Sequence, residues 1–394
     1  MSYENVRNSV LSEISIGALV IPFLSCILGF AGTIVLIMRS QEAIGASPTQ
    51  TVSAITSLCI AISLVGFVLT LRYRVPVILG WSTPGAALLI AYPSEGRYSE
   101  MVGAFVIAGI MIVAVGYVSI LRRAISKIPS SISLAMLAGI VFPFCLPIFR
   151  NLSPHPFLIA STLITFIVIR NIKATYALPA AVFVAIMFGG ITGAINISYS
   201  GSVFGTLRPT SPTFNLATSI ELSIPIFLVT LTSQNLPGLL VLRSAGFKIS
   251  ERAAIVSVGF ASIVISPFGG HGVGLASLTA AMCVGDESGL SKKSRWISGV
   301  LYSGFYAIIA AFCAPVLYFL SSMPREIVEA ITAVAVIPIL VSSIGNMMAA
   351  AEEREAAVLT FVATASGMFF AGIGAAFWGL VIGGVVLVAK RCLQ

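Results

Sequence analysis

Charge is scarce in this chain of 394 residues: Asp, Glu, Lys and Arg make up 9% of it, against 58% hydrophobic residues. Soluble domains carry about 25% charged residues, so a water-soluble fold is excluded. No Cys-x-x-Cys pair or His/Cys spacing marks a metal site. No nucleophile–base pair or phosphate-binding loop is present either, so the reading is not an enzyme and no cofactor is expected. Cys26, Cys59, Cys145, Cys283 and Cys313 fall inside apolar segments and read as packing residues. The polar/apolar alternation of β-barrel spans is missing as well. The first apolar run follows Glu4 and Glu13 and continues to Met38 without a basic leader or small-residue cleavage site, so it reads as a first span, not a signal peptide.

What the chain has instead is a succession of apolar runs from Gly17 to Val388, each able to cross a hydrocarbon layer about 30 Å thick as a helix. Helical segments are expected at 14–38, 51–71, 76–91, 101–121, 131–149, 157–170, 177–196, 221–242, 254–266, 268–285, 297–320, 329–350, 356–372 and 374–390. The final run, from Ala356 to Ala389, reads either as one tilted helix or as two spans parted near Gly372 and Gly374, and Lys390 and Arg391 favour two. The formal charge of +8 is spread in ones and twos between the runs, so it reports topology rather than a nucleic-acid partner. With a cytoplasmic N-terminus, 17 of the 22 basic residues lie inside: Arg7, Arg72, Arg74, Arg122, Arg123, Lys127, Arg170, Lys173, Arg243, Lys248, Arg252, Lys292, Lys293, Arg295, Arg354, Lys390 and Arg391. Arg39, Arg97, Arg150, Arg208 and Arg325 fall one to each external loop, as the positive-inside rule demands. The expected location is a bacterial inner (cytoplasmic) membrane, spanned many times, with both termini cytoplasmic.

Two segments are too short and too rich in glycine and proline for plain spans, and each is third in its half of the chain. Matched interruptions of this kind point to an inverted-repeat transporter with its site at the breaks. In the first, Pro76–Trp81 reads as extended, Ser82 or Thr83 as a helix cap, and Pro84 as a first-turn residue. In the second, Gly269, Gly270, Gly272 and Gly274 permit irregular backbone before a helix expected from about Val273. Two helix N-termini meeting near the midplane attract an anion, because their N–H groups are unpaired and carry partial positive charge. The alternative is a pair of kinks that only shape packing.

Polar residues within the spans are few. Thr230–Gly238 reads TLTSQNLPG, with Ser233, Gln234 and Asn235 expected to line the site and interhelical hydrogen bonding as the alternative. His271 is the histidine within a span, suited to bind substrate or carry a coupling proton, or else to bond a carbonyl structurally. Trp81 is placed either to stack on an aromatic substrate or to fill the core. Glu221, opening the eighth segment externally, is expected to be solvated or ion-paired.

The motifs Thr232–Gly238, Pro267–His271, Leu275–Cys283, Glu352–Glu355, Thr364–Gly367 and Ala375–Gly379 are similar to those of the benzoate/proton symporters of the BenE family. That family resembles the uracil/xanthine permeases and sulfate-type anion carriers. The resemblance implies an all-α polytopic membrane protein with about 14 transmembrane segments in a 7+7 inverted repeat, short broken helices 3 and 10 being preceded by extended strands. It implies a core domain at 14–121 and 221–320 and a gate domain at 131–196 and 329–390. It also implies proton-coupled import of benzoate or a similar aromatic carboxylate, at Trp81, Ser82, Thr83, Ser233, Gln234, Asn235, Gly269, Gly270, His271 and Gly272, with His271 coupling the proton. Nucleobase permeases place a glutamate in each of segments eight and ten; amides and His271 stand here, which argues against a nucleobase. The partners implied are an aromatic carboxylate, protons and the lipid bilayer, and a homodimer is compatible with the sequence. Rival readings are a passive organic-anion channel or uniporter, a carrier of another small anion or a nucleobase, and an intramembrane enzyme.

Overall fold

The computed structural model describes residues 16–31, 33–92, 97–118, 129–172, 174–192, 202–285, 291–370 and 373–393. Arg7, Arg122, Arg123, Lys127, Lys173 and Gly372 lie outside them. In chain order the elements are α1 (Ile16–Ala31), α2 (Ile34–Ala43), α3 (Pro48–Tyr73), β1 (Leu79–Trp81), α4 (Thr83–Ala91), α5 (Tyr98–Tyr117), α6 (Ser130–Arg150), α7 (Pro156–Ile172) and α8 (Ala174–Ile191). Then come α9, a helical run over Leu216–Arg243, α10 (Glu251–Ile265), β2 (Val273–Leu275), α11 (Leu278–Val284), α12 (Trp296–Ser321) and α13 (Arg325–Met347). The chain closes with α14 (Arg354–Ala365), β3 (Phe369–Phe370), β4 (Ile373–Gly374) and α15 (Ala375–Leu393).

Local chemistry sets these boundaries. Ser47 opens α3 with a reciprocal capping box, its hydroxyl accepting from the Gln50 N–H and the Gln50 side chain accepting from its own N–H, with Pro48 in the first turn. At the other end Arg74 adopts left-handed backbone (φ 52°). The 26 residues between span about 39 Å. Among the described residues eight helices are long and apolar enough to cross a membrane, and three shorter apolar helices accompany them. Large apolar side chains such as Leu64, Phe157, Ile164, Phe183 and Val385 point outward, as a protein solvated by lipid requires.

Two expectations need correction, and the alternative left open for the last run is decided in favour of two helices. The first segment is two helices, because Thr33 turns the chain between α1 and α2: its hydroxyl donates to the Gly29 carbonyl and accepts the Trp81 indole N–H. The helix expected from Val273 starts at Leu278, since Val273–Leu275 is held extended by pairing with β1. The last apolar stretch is two helices joined by the β3–β4 pair, which periodicity could not reveal in strands two residues long.

The loop before α9 straps the ends of several helices together. The Thr210 N–H donates to the Pro267 carbonyl, Thr213 N–H to Ser99, and Ser53 bonds both the N–H and carbonyl of Arg208. Pro315 inside α12 cannot donate to the carbonyl four residues back, Ala311, and backbone φ/ψ turns non-helical at Phe312. The Gly205 N–H takes that freed carbonyl at 2.8 Å. A side chain at 205 would collide with the Ala310 carbonyl and Thr56, so glycine is required there by close approach. Gly205→Val should therefore lower stability by about 1–3 kcal/mol, read as an earlier thermal midpoint in detergent; an unshifted midpoint would show that the strap adds nothing.

Candidate functional site

The candidate site forms where β1 and β2 cross. Leu79, Gly80 and Trp81 pair antiparallel with Leu275, Gly274 and Val273. The ladder is extended by Ser82 N–H to the Gly272 carbonyl (3.0 Å) and Ala276 N–H to the Ile78 carbonyl (2.9 Å). α4 and α11 leave from opposite ends of this short ribbon. Two strands alone leave outward backbone groups unpaired, and in a buried location each must find a partner.

Those partners come from the residues that sequence singled out in α9. A π turn at Leu231–Asn235 re-aims this stretch just before Pro237. The Asn235 amide oxygen accepts from the Leu275 N–H at 2.9 Å, while its NH2 donates to the Thr230 carbonyl at 3.3 Å. The Gln234 NH2 donates to the Trp81 carbonyl at 2.9 Å. His271 Nε2 lies 2.9 Å from the carbonyl of Ser82, the next residue along, and only the Nε2–H tautomer can donate there. Gln234 and His271 thus anchor on consecutive carbonyls at the strand-to-helix joint. Ser82 caps α4 by accepting from the Gly85 N–H, and its hydroxyl lies 2.6 Å from that of Thr230.

Three polar atoms here are buried without any hydrogen-bond partner: Ser233 Oγ, Gln234 Oε1 and His271 Nδ1. All three can accept a hydrogen bond, and the serine hydroxyl can also donate. Buried polar groups are nearly always paired, so each of these three atoms can take a hydrogen bond from a ligand or water. Ser82 and Asn235 are at 0% exposure and His271 at 1%, while Ser233 and Gln234 are partly buried. The His271 ring lies edge-on to Phe105, 6.3 Å between centroids.

The other expected site residues make scaffold contacts. Trp81 is locked between Phe30 and Tyr306, its indole N–H fixed by Thr33 at 2.7 Å. Thr83 follows the cap and is partly buried. Gly269 (φ 90°) and Gly272 (φ 135°) make the turn into β2, where L-residues are strained. A Cβ at Gly269 would collide with the Tyr98 hydroxyl and one at Gly270 would come within 2.7 Å of Ile265, so both face packed protein. Sequence reasoning missed Ser262, which accepts from the Val273 N–H, and Tyr302, which donates to the Leu79 carbonyl. A lone serine or tyrosine in an apolar helix carries no signal of such a role. Thr230 stood within the polar cluster but was not singled out. The described Cys residues Cys26, Cys59, Cys145, Cys283 and Cys313 are free and buried.

Asn235→Ala removes the acceptor of a buried backbone N–H, which costs about 1–3 kcal/mol when left unsatisfied. Thermal unfolding in detergent should show the loss; a variant as stable as the parent would mean that the amide does not hold β2.

Comparison with known proteins places this geometry. The family model described as "Benzoate membrane transport protein" matches residues 12–389. The inner membrane protein YdcO of Escherichia coli (strain K12) is 34% identical over 94% of this chain and 95% of its own length. The benzoate membrane transport protein of Acinetobacter baylyi (strain ATCC 33305 / BD413 / ADP1) is 28% identical over 94% of each chain. The solved structure of SLC26A9 superposes with a TM-score of 0.63 at 13% identity, covering 97% of this chain and 67% of that one, a likeness of fold alone.

Proposed function

The chain belongs to the benzoate membrane transport protein family, and from that premise we propose that it imports benzoate or a similar aromatic carboxylate together with a proton, by alternating access across a bacterial inner membrane. Members of this family are multi-pass membrane transporters, not enzymes. The observation that carries the substrate reading is that His271 and Gln234 anchor on the consecutive Ser82 and Trp81 carbonyls while His271 Nδ1, Gln234 Oε1 and the neighbouring Ser233 Oγ have no protein partner. Neutral His271 accepts from a carboxylic acid, and protonated His271 donates to a carboxylate; the two descriptions differ only in where one shared proton sits. Ser233 donates to a carboxylate oxygen, and Gln234 Oε1 accepts from an acid proton or a water that accompanies it. The N-termini of α4 and α11 add partial positive charge on either side.

We read the fold as 14 spans in a 7+7 inverted repeat, counting α1–α2 as the first span and β1–α4 and β2–α11 as the third and tenth. The packing supports this in a specific way. Shifting every span by seven exchanges α3 against α12 (spans two and eleven) with α5 against α10 (four and nine), and all four helices make these two among the closest packings in the molecule. The same shift exchanges the α7–α8 pair with α14–α15 and returns α6–α13 and β1–β2 to themselves. These pairs also fall within the two proposed domains: spans 1–4 and 8–11 as the core, 5–7 and 12–14 as the gate.

The test is labelled benzoate uptake into proteoliposomes with and without an inward proton gradient, with protein-free vesicles as baseline because neutral benzoic acid crosses lipid unaided. One proton per benzoate sustains about tenfold accumulation per pH unit of gradient, since each pH unit is about 1.4 kcal/mol. Protein-dependent, saturable uptake driven by the gradient above the protein-free baseline is expected, and His271→Gln should remove that net uptake while leaving exchange. Equilibration without gradient-driven net uptake would make the protein a uniporter or channel, and wild-type behaviour of the glutamine variant would move coupling away from His271.

A further inference from the structure

Glu221 departs from its expected place in solvent. It sits in a second π turn of α9, Ser219–Ser223, at 9% exposure. The Tyr92 hydroxyl, at the residue that ends α4, donates to its Oε2 at 2.6 Å. Among the described residues the charged and titratable groups facing this turn are Tyr92 from α4, and Arg97 and Glu100 at the start of α5. Arg97 pairs with Glu100 at 3.1 Å, and Glu100 also accepts from Thr218. Among the described residues no basic side chain is within ion-pair distance of Glu221. The π turn is tied to α5 through Ser223, which donates to the Ala104 carbonyl, and the backbone of β4 lies against it from the other side. Under the domain division above, α5 and α9 belong to the core and β4 to the gate, so Glu221 occupies the seam between them.

The Glu221 carboxylate thus meets one tyrosine hydroxyl and, among the described residues, no cation. Ionisable groups within a bundle of this kind mark functional sites. We propose that Glu221 is a second proton-binding site, separate from the crossing: a proton from the outer aqueous phase adds to its carboxylate as core and gate close over it. Protonation removes the charge that opposes closure, and closure removes the water that stabilises the charge, so each favours the other by linkage. Tyr92 carries the state of Glu221 to α4. Its hydroxyl donates a charge-assisted bond to the carboxylate and a weaker one to the neutral acid, at the opposite end of α4 from the Ser82–His271 contact. The site thereby sets the rate of closure by outer pH, whereas the proton at His271 drives accumulation. This inference rests on the transport reading above for its consequence, but not for the proton itself.

Two measurements on the full-length protein separate these. pH-difference infrared spectroscopy without substrate should show a protonated-carboxyl band on acidification that Glu221→Gln lacks and Tyr92→Phe shifts. Benzoate exchange at equal concentrations, without a gradient, should accelerate several-fold in the wild type as the outer side is acidified. Glu221→Gln should exchange at a rate indifferent to outer pH. A difference spectrum unchanged by both substitutions overturns the proton site, the second variant deciding if the first does not fold. Wild-type acid activation in Glu221→Gln overturns its control of closure. The expected band in a protein that exchanges no benzoate would refute the transport reading and leave the proton site standing.

Discussion

The structure depends on one pairing: six residues, three from each half of the chain, joined edge to edge inside a bundle of apolar helices. A two-stranded ribbon is marginal even in water, and within a bilayer its outward N–H and carbonyl groups have no solvent to fall back on. The side chains around it are explained by that debt. Asn235 takes the Leu275 N–H, Gln234 the Trp81 carbonyl, Ser262 the Val273 N–H and Tyr302 the Leu79 carbonyl. They come from one π turn of α9 and from α10 and α12, so the ribbon also fixes how those helices stand relative to one another.

The same debt explains why the polar residues of α9 have two roles. A side-chain amide has a donor end and an acceptor end, and at Gln234 the donor is consumed by the backbone while the acceptor is left over. His271 is split in the same way, Nε2 holding Ser82 and Nδ1 unpaired. A group anchored at one end and vacant at the other is preorganised, since its rotamer is set before any ligand arrives. Sequence analysis posed glue and ligand contact as alternatives for these residues; the geometry shows the first, and under the proposed function it is also the means of the second.

Much of this was legible because the bilayer restricts the choices. Scarce charge, apolar run lengths and the Pro76–Pro84 and Pro267–Gly274 interruptions located most helices and both breaks, since proline and glycine act through local backbone geometry that needs no tertiary information. The assignments that needed correction depended on contacts between distant segments. Val273 is extended because Trp81 lies beside it, and the α1–α2 turn at Thr33 is held by the indole of Trp81. Trp81 itself suited a substrate wall or the core equally by composition; Phe30 and Tyr306, from the first helix and from α12, decide for the core.

Glu221 shows the limit of reading polarity by position along a span. A glutamate opening a helix at the membrane edge is ordinarily hydrated, and it helps the helix by meeting its positive end. Here the helix opens on a π turn, which widens the backbone and rotates residue 221 away from the face that α-helical spacing assigns to it. The carboxylate is thereby delivered to a seam between α5 and β4 rather than to water. Because Tyr92 ends the same short helix that Ser82 begins, the charge state in that seam and the bonding state of the crossing act on opposite ends of one rigid element of nine residues. Coupling between two sites requires a shared element whose position both can bias, and α4 is the element that touches both.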